Sequence, residues 1–109
     1  MEVFITKLST IKAKKKMQVT IENRRLLLAY TENGVFAIRD KCPHMGSTLA
    51  NGNLKDGVIT CKDHGLPISV ETGEVTNMTK AKFLRLDEYS LSVRTYKIVI
   101  RDDSVYVDL

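Results

Sequence analysis

Every cysteine and histidine of the chain falls in two short runs, Cys42-Pro43-His44 and Cys61-Lys62-Asp63-His64, separated by sixteen residues. Thiolate sulfur and imidazole nitrogen are soft and borderline donors that suit zinc and iron. Spending the whole supply of both on two clustered pairs points to one metal site. A tetrahedral zinc ion accepts two Cys and two His. A pair of irons accepts them too, with two thiolates on one iron and two imidazoles on the other. No nucleophile with a base beside it accompanies these residues. Nor does a second histidine pair for mononuclear iron, or a Gly-rich phosphate loop for a flavin or nicotinamide, so catalysis falls to a partner.

The residues around the four donors carry more. Cys42-Pro43-His44-Met45-Gly46-Ser47-Thr48-Leu49, the hairpin Asp56-Gly57-Val58-Ile59-Thr60, Cys61-Lys62-Asp63-His64-Gly65 and the turn Thr72-Gly73 together resemble a Rieske-type [2Fe-2S] ferredoxin. That family's pattern runs C-P-H-x-G-x-x-L, a Gly-containing hairpin, C-P-x-H-G-W-x-F and a T-G turn. The motif covers about a third of the chain. Val35 to Lys41 looks like the strand that delivers the first ligand loop, and weaker strand patterns extend the match to nearly the full length.

The resemblance implies one [2Fe-2S] cluster per chain, with Cys42 and Cys61 on one iron and neutral His44 and His64 on the other. It implies a soluble, low-potential one-electron carrier that is not itself an enzyme, taking electrons from a flavoprotein reductase and passing them to an oxygenase. The alternative within the family is an accessory subunit of a nitrite-reductase-type enzyme. From a different class comes a structural zinc module that holds loops together for protein binding. The sequence departs from the family pattern at Lys62, Leu66 and Ile68, where Pro, Trp and Phe are usual.

High-potential relatives place a Ser and a Tyr where this chain has Leu66 and Ile68, each hydroxyl donating to a sulfur. Each charge-assisted bond is worth ~1.5–3 kcal/mol and a one-electron couple moves about 59 mV per tenfold change in equilibrium constant. Losing both lowers the potential by roughly 130–260 mV, toward the low end of the Rieske range at about −150 mV. Gly46 and Gly65 closely follow the histidines, where the chain must turn sharply and let backbone N–H groups approach the cluster sulfurs.

With 109 residues, 43% of them hydrophobic and 28% charged, the chain supports one ordered domain, too short to add an oxygenase's own iron site. The amino end has neither a basic-then-apolar leader nor an apolar run long enough to span a bilayer, which predicts a cytosolic, unanchored protein. Membrane-bound Rieske subunits carry an extra cysteine pair, and the corresponding positions here hold Ser47 and Asp63. The net charge of +4 includes a cluster at Lys12, Lys14, Lys15 and Lys16, followed by Arg24-Arg25. Such a cluster is a solvated surface or a docking patch for an acidic partner. Nucleic acid is disfavoured, since no aromatics interleave with the lysines.

To position two metal-binding loops the sequence offers short β-branched runs: Val3 to Leu8, Met17 to Ile21, Leu26 to Tyr30, Val35 to Ile38, Val58 to Cys61, Pro67 to Val70, Leu91 to Val93, Lys97 to Ile100 and Val105 to Val107. Turn signals punctuate them at Glu22-Asn23, Glu32-Asn33-Gly34, Asn51-Gly52-Asn53, Asp56-Gly57, Glu71-Thr72-Gly73 and Asp102-Asp103-Ser104. This spacing predicts an all-β, antiparallel sandwich or small barrel, with residues 42–75 inserted as a small cluster-binding subdomain. Only Ser47 to Ala50 is expected to make a helical turn, and Lys80 to Glu88 fits neither the helical nor the strand period.

Overall fold

Leu26, Leu27, Leu28 and Ala29 form an unbroken apolar run, and all four are fully buried. Successive side chains of a strand point to opposite faces, so such a run requires cover on both sides. The computed structural model, which describes residues 1–44, 46–87 and 91–109, supplies it. Strand β3 (Arg24–Thr31) lies between β2 (Lys16–Ile21) and β4 (Gly34–Arg39). Leu26 and Leu28 face one core, with Val35 and Ala37 of β4, Ile11, Val105 and Val107. Leu27 and Ala29 face another, with Ile38 of β4, Cys42, Cys61, Leu66 and Ile68.

Six antiparallel strands make the main sheet, in the order β1-β9-β8-β4-β3-β2, with β1 at Glu2–Lys7, β8 at Thr95–Arg101 and β9 at Ser104–Asp108. A second, three-stranded sheet contains β5 (Asn53–Lys55), β6 (Val58–Thr60) and β7 (Pro67–Ser69). The mostly β, near-barrel arrangement matches the fold class expected from the sequence. The β2–β3 hairpin turns at Glu22 and Asn23, both with positive φ. Two such residues in succession give a turn whose twist matches that of the flanking strands.

Four expectations need correction. Helix α1 (Leu8–Lys14) carries Lys12 and Lys14 of the basic cluster, where no helix was expected. Its preceding residue, Lys7, offers no side-chain cap. The first turn is held instead from the β8–β9 turn: Leu8 N–H donates to Asp103 O at 2.8 Å, and Ser9 N–H and Oγ donate to the two Asp103 carboxylate oxygens, each at 2.9 Å. Ser47 to Ala50 makes no helix, and β5 starts at Asn53, inside an expected turn. Leu91 to Val93 forms no extended strand; it makes a single antiparallel bridge, Ser92 opposite Glu74, through hydrogen bonds from Val93 N–H to Gly73 O and from Val75 N–H to Leu91 O. Within the ambiguous Lys80 to Glu88 stretch, helix α2 (Met78–Phe83) covers the first part, capped by Asn77 Oδ1 accepting from Lys80 N–H. Glu88 lies outside the described residues.

Candidate metal centre

The two cysteine-histidine runs fold into loops built on one plan. In the first, Cys42 N–H donates to Ser47 O (2.7 Å) and Gly46 N–H donates to Cys42 O (2.7 Å). In the second, Cys61 N–H donates to Leu66 O (2.9 Å) and Gly65 N–H donates to Cys61 O (2.8 Å). Each cysteine thus opens a loop that closes on its own carbonyl four residues later. Closure requires a left-handed residue, and Gly46 (φ +74°) and Gly65 (φ +68°) provide it at no steric cost. Conformation accounts for glycine at 65, since an added Cβ would meet Lys80 at an ordinary 3.8 Å. The glycine N–H groups are taken by the cysteine carbonyls, which leaves the approach to sulfur to other backbone N–H groups of the loops. Met45, inside the first loop, lies outside the described residues.

This geometry sorts the four donors. Cys42 and Cys61 are 1% and 2% exposed and sit in the core bounded by Leu27, Leu49, Leu66 and Ile68. The histidines lie at the surface with rings nearly perpendicular (87°), centroids 4.3 Å apart and Nδ1 atoms 3.1 Å apart. Converging Nδ1 atoms leave each Nε2 on the outer side of its ring. Among the described residues, no three Cys, His, Asp or Glu side chains gather around a point that a single ion would occupy. Two buried sulfurs and two convergent surface nitrogens match the kind of donor set a two-iron cluster with unlike irons takes, so the residues present fit a [2Fe-2S] group.

A family model for the Rieske [2Fe-2S] domain matches residues 1–97. The chain belongs to the Rieske [2Fe-2S] domain family. This Rieske domain is 35% identical over 74 residues to the ferredoxin component of biphenyl 2,3-dioxygenase from Rhodococcus jostii (strain RHA1). That alignment covers 68% of this chain and 61% of the relative, so it spans less than two thirds of the relative's length. Among solved structures, the ferredoxin of carbazole 1,9a-dioxygenase from Nocardioides aromaticivorans IC177 superposes with a TM-score of 0.82 at 21% identity, covering 98% of this chain and 96% of that one. The Sphingomonas yanoikuyae B1 ferredoxin gives 0.81 at 20% identity, covering 100% and 99%.

The Rieske loops depend on a residue that the sequence reading passed over. Asp40, fully buried at the end of β4, accepts from Leu49 N–H (2.6 Å) and Ala50 N–H (2.9 Å) through Oδ1. Its Oδ2 accepts from Thr48 Oγ1 (2.6 Å) and from Gln18 Nε2, and Arg25 Nε stands 3.4 Å away. A buried carboxylate is tolerable when paired and fully hydrogen-bonded, and here it pins residues 48–50 behind the first loop. Lys16 adds a hydrogen bond to Ala50 O, so one lysine of the basic cluster serves the loop. The only sequence signal was an Asp two residues before the first cysteine, where a turn residue is unremarked.

Leu66 and Ile68, the positions that lack hydroxyl donors, are fully buried beside the cysteines. The apolar wall expected from their bulk is present. Ser47 Oγ, however, lies within hydrogen-bond reach of Cys61 Sγ, a donor absent from the sequence account.

Proposed function

We propose that Cys42 and Cys61 hold one iron and His44 and His64 the other iron of a [2Fe-2S] cluster, and that the protein is a one-electron carrier. The bound cluster supplies reversible one-electron chemistry. The observation that carries the reading is the split donor set: sulfurs inside a dry core, Nδ1 atoms converging at the surface. The core side excludes water from the thiolates, and the surface imidazoles give the electron a short exit to a partner. Residues 42–75 act as a cluster-binding subdomain on the six-stranded framework.

Relatives named as dioxygenase ferredoxins support a flavoprotein reductase as donor and an oxygenase as acceptor. Among the described residues no helix is long and apolar enough to cross a membrane, and we place the carrier in the cytosol.

Electron paramagnetic resonance on anaerobically purified, dithionite-reduced protein, with iron and zinc analysis, tests the assignment. The expected result is a rhombic signal of a nitrogen-ligated two-iron cluster, with iron in twofold excess over chain. A silent sample holding zinc in place of iron overturns it.

A further inference from the structure

The order of strands in the main sheet gathers positive charge at one end. Arg24 and Arg25 begin β3; Arg39 ends the antiparallel β4; Arg94 immediately precedes β8, which runs antiparallel to β4. All three strand ends therefore meet at the end of the sheet from which the first loop departs. Arg39 N–H donates to Arg94 O at 2.8 Å, locking the two together. These four arginines and Lys41 line a cleft of about 500 Å³ that reaches Gly46, and an adjoining groove continues along Lys41 to Cys42 and Pro43.

The charges are largely uncompensated. Arg25 leans on buried Asp40, and Arg94 stacks over the Tyr96 ring at 5.2 Å. Among the described residues, no carboxylate lines the cleft, and Arg24, Arg39, Lys41 and Arg94 make no ion pair. Five like charges converging on one concavity repel one another, and the concavity raises the local attraction for anions. Stacking of Arg94 on Tyr96, the one lining aromatic, leaves no free ring for a nucleobase.

We propose that this cleft is a docking surface for an acidic patch of the redox partner, seating the partner's carboxylates beside the loop that carries Cys42 and His44. The proposal rests on the electron-carrier reading and deepens it. Complementary charge beside the first metal-binding loop speeds encounter and fixes orientation. The cleft opens beside Cys42 and Pro43, whereas in the Lys12 to Lys16 cluster Lys16 reaches Ala50 O behind the loop and Lys12 and Lys15 lie over the Tyr30 ring.

The test uses cluster-loaded protein at low ionic strength and a six-glutamate peptide activated with carbodiimide, which joins carboxylate to lysine amine; coupling sites are read by peptide mass spectrometry. Lys41 is expected to couple severalfold more than Lys12, Lys14 or Lys15. Replacing Arg39 and Arg94 by Glu (R39E/R94E) should cut Lys41 coupling severalfold, whereas K12E/K14E, with the same change in net charge, should leave it intact. Even coupling over all lysines, equal sensitivity to both double variants, or abolition by an equal concentration of inorganic phosphate overturns the proposal. Cluster content is read separately from the paramagnetic signal of the same sample, so a failure of the carrier reading appears there and not in the coupling pattern.

Discussion

Ser47 Oγ lies 3.8 Å from Cys61 Sγ, so a hydroxyl from the first loop reaches the sulfur of the second. When Cys61 is a thiolate, only the hydroxyl can donate. A donor to sulfur favours the more negative, reduced cluster. Ser47→Ala should therefore lower the midpoint potential, by about 20–65 mV if this long bond contributes ~0.5–1.5 kcal/mol. Redox titration followed by absorbance measures it; an unchanged potential would show that the hydroxyl points elsewhere.

Leu66 offers the converse experiment. It is fully buried among the residues around both cysteines, and its carbonyl already brackets Cys61. Leu66→Ser should raise the potential by about 65–130 mV through a new charge-assisted bond. Removing a buried leucine should also destabilise the fold by roughly 2–5 kcal/mol. Ile68→Tyr is a poorer probe, since Ile68 pairs with Ile59 at the centre of β7 with no space for a ring. A potential that stays put in Leu66→Ser while the melting temperature falls would refute the hydrogen-bond account of the low potential.

Asp40 tests whether the first loop is held from behind. Asp40→Asn keeps the volume but replaces an acceptor oxygen by a donor that faces N–H groups or hydroxyls. The expected cost is ~1–3 kcal/mol for the orphaned groups, with faster loss of iron to a chelator. Thr48→Ala, which removes one of the same bonds, should show a smaller effect on both. Chelation kinetics equal to wild type would mean that the loop holds itself.

The parity of β3 gives a paired prediction. Leu27→Ala and Leu26→Ala remove the same atoms from adjacent, equally buried positions, and each should cost about 2–5 kcal/mol. Only Leu27 shares a core with the cysteines. Iron retention at a fixed fraction folded should fall in Leu27→Ala and hold in Leu26→Ala.

Asp103 carries a pH dependence. Hydrogen bonds from the Ser9 backbone N–H and then the Ser9 hydroxyl, with smaller help from Lys7 and Lys12, hold its carboxyl below the ordinary value of 3.8. A depressed carboxylate stabilises the fold fully above the unfolded value and loses that contribution as pH falls through the folded one. The carboxyl resonance of Asp103 should therefore titrate below the usual aspartate range, and Ser9→Ala should move it upward. Asp103→Asn should lower the melting temperature at neutral pH, with the difference from wild type vanishing in acid.

Local chemistry was legible in the sequence wherever it was written in one segment. The two loops, their glycines and most strands could be read because donors, turns and alternation sit within a few residues of one another. Helix α1 could not, because its cap is Asp103, ninety-four positions from Ser9. Asp40 escaped notice for a similar reason: its partners come from β2, β3 and the loop after Cys42. The arginine cleft is likewise a product of strand order, assembling Arg24, Arg39 and Arg94 from segments that look unrelated along the chain.

A strand that walls two cores ties their fates together. Neither side of β3 can melt without exposing apolar side chains that the other side needs covered, so the metal-binding end has no separate unfolding transition to fall through. Substitutions far away, under α1 or along β9, reach the cluster loops only through the shared partition. The same tie gives the apoprotein a framework that persists while the loops wait to be filled.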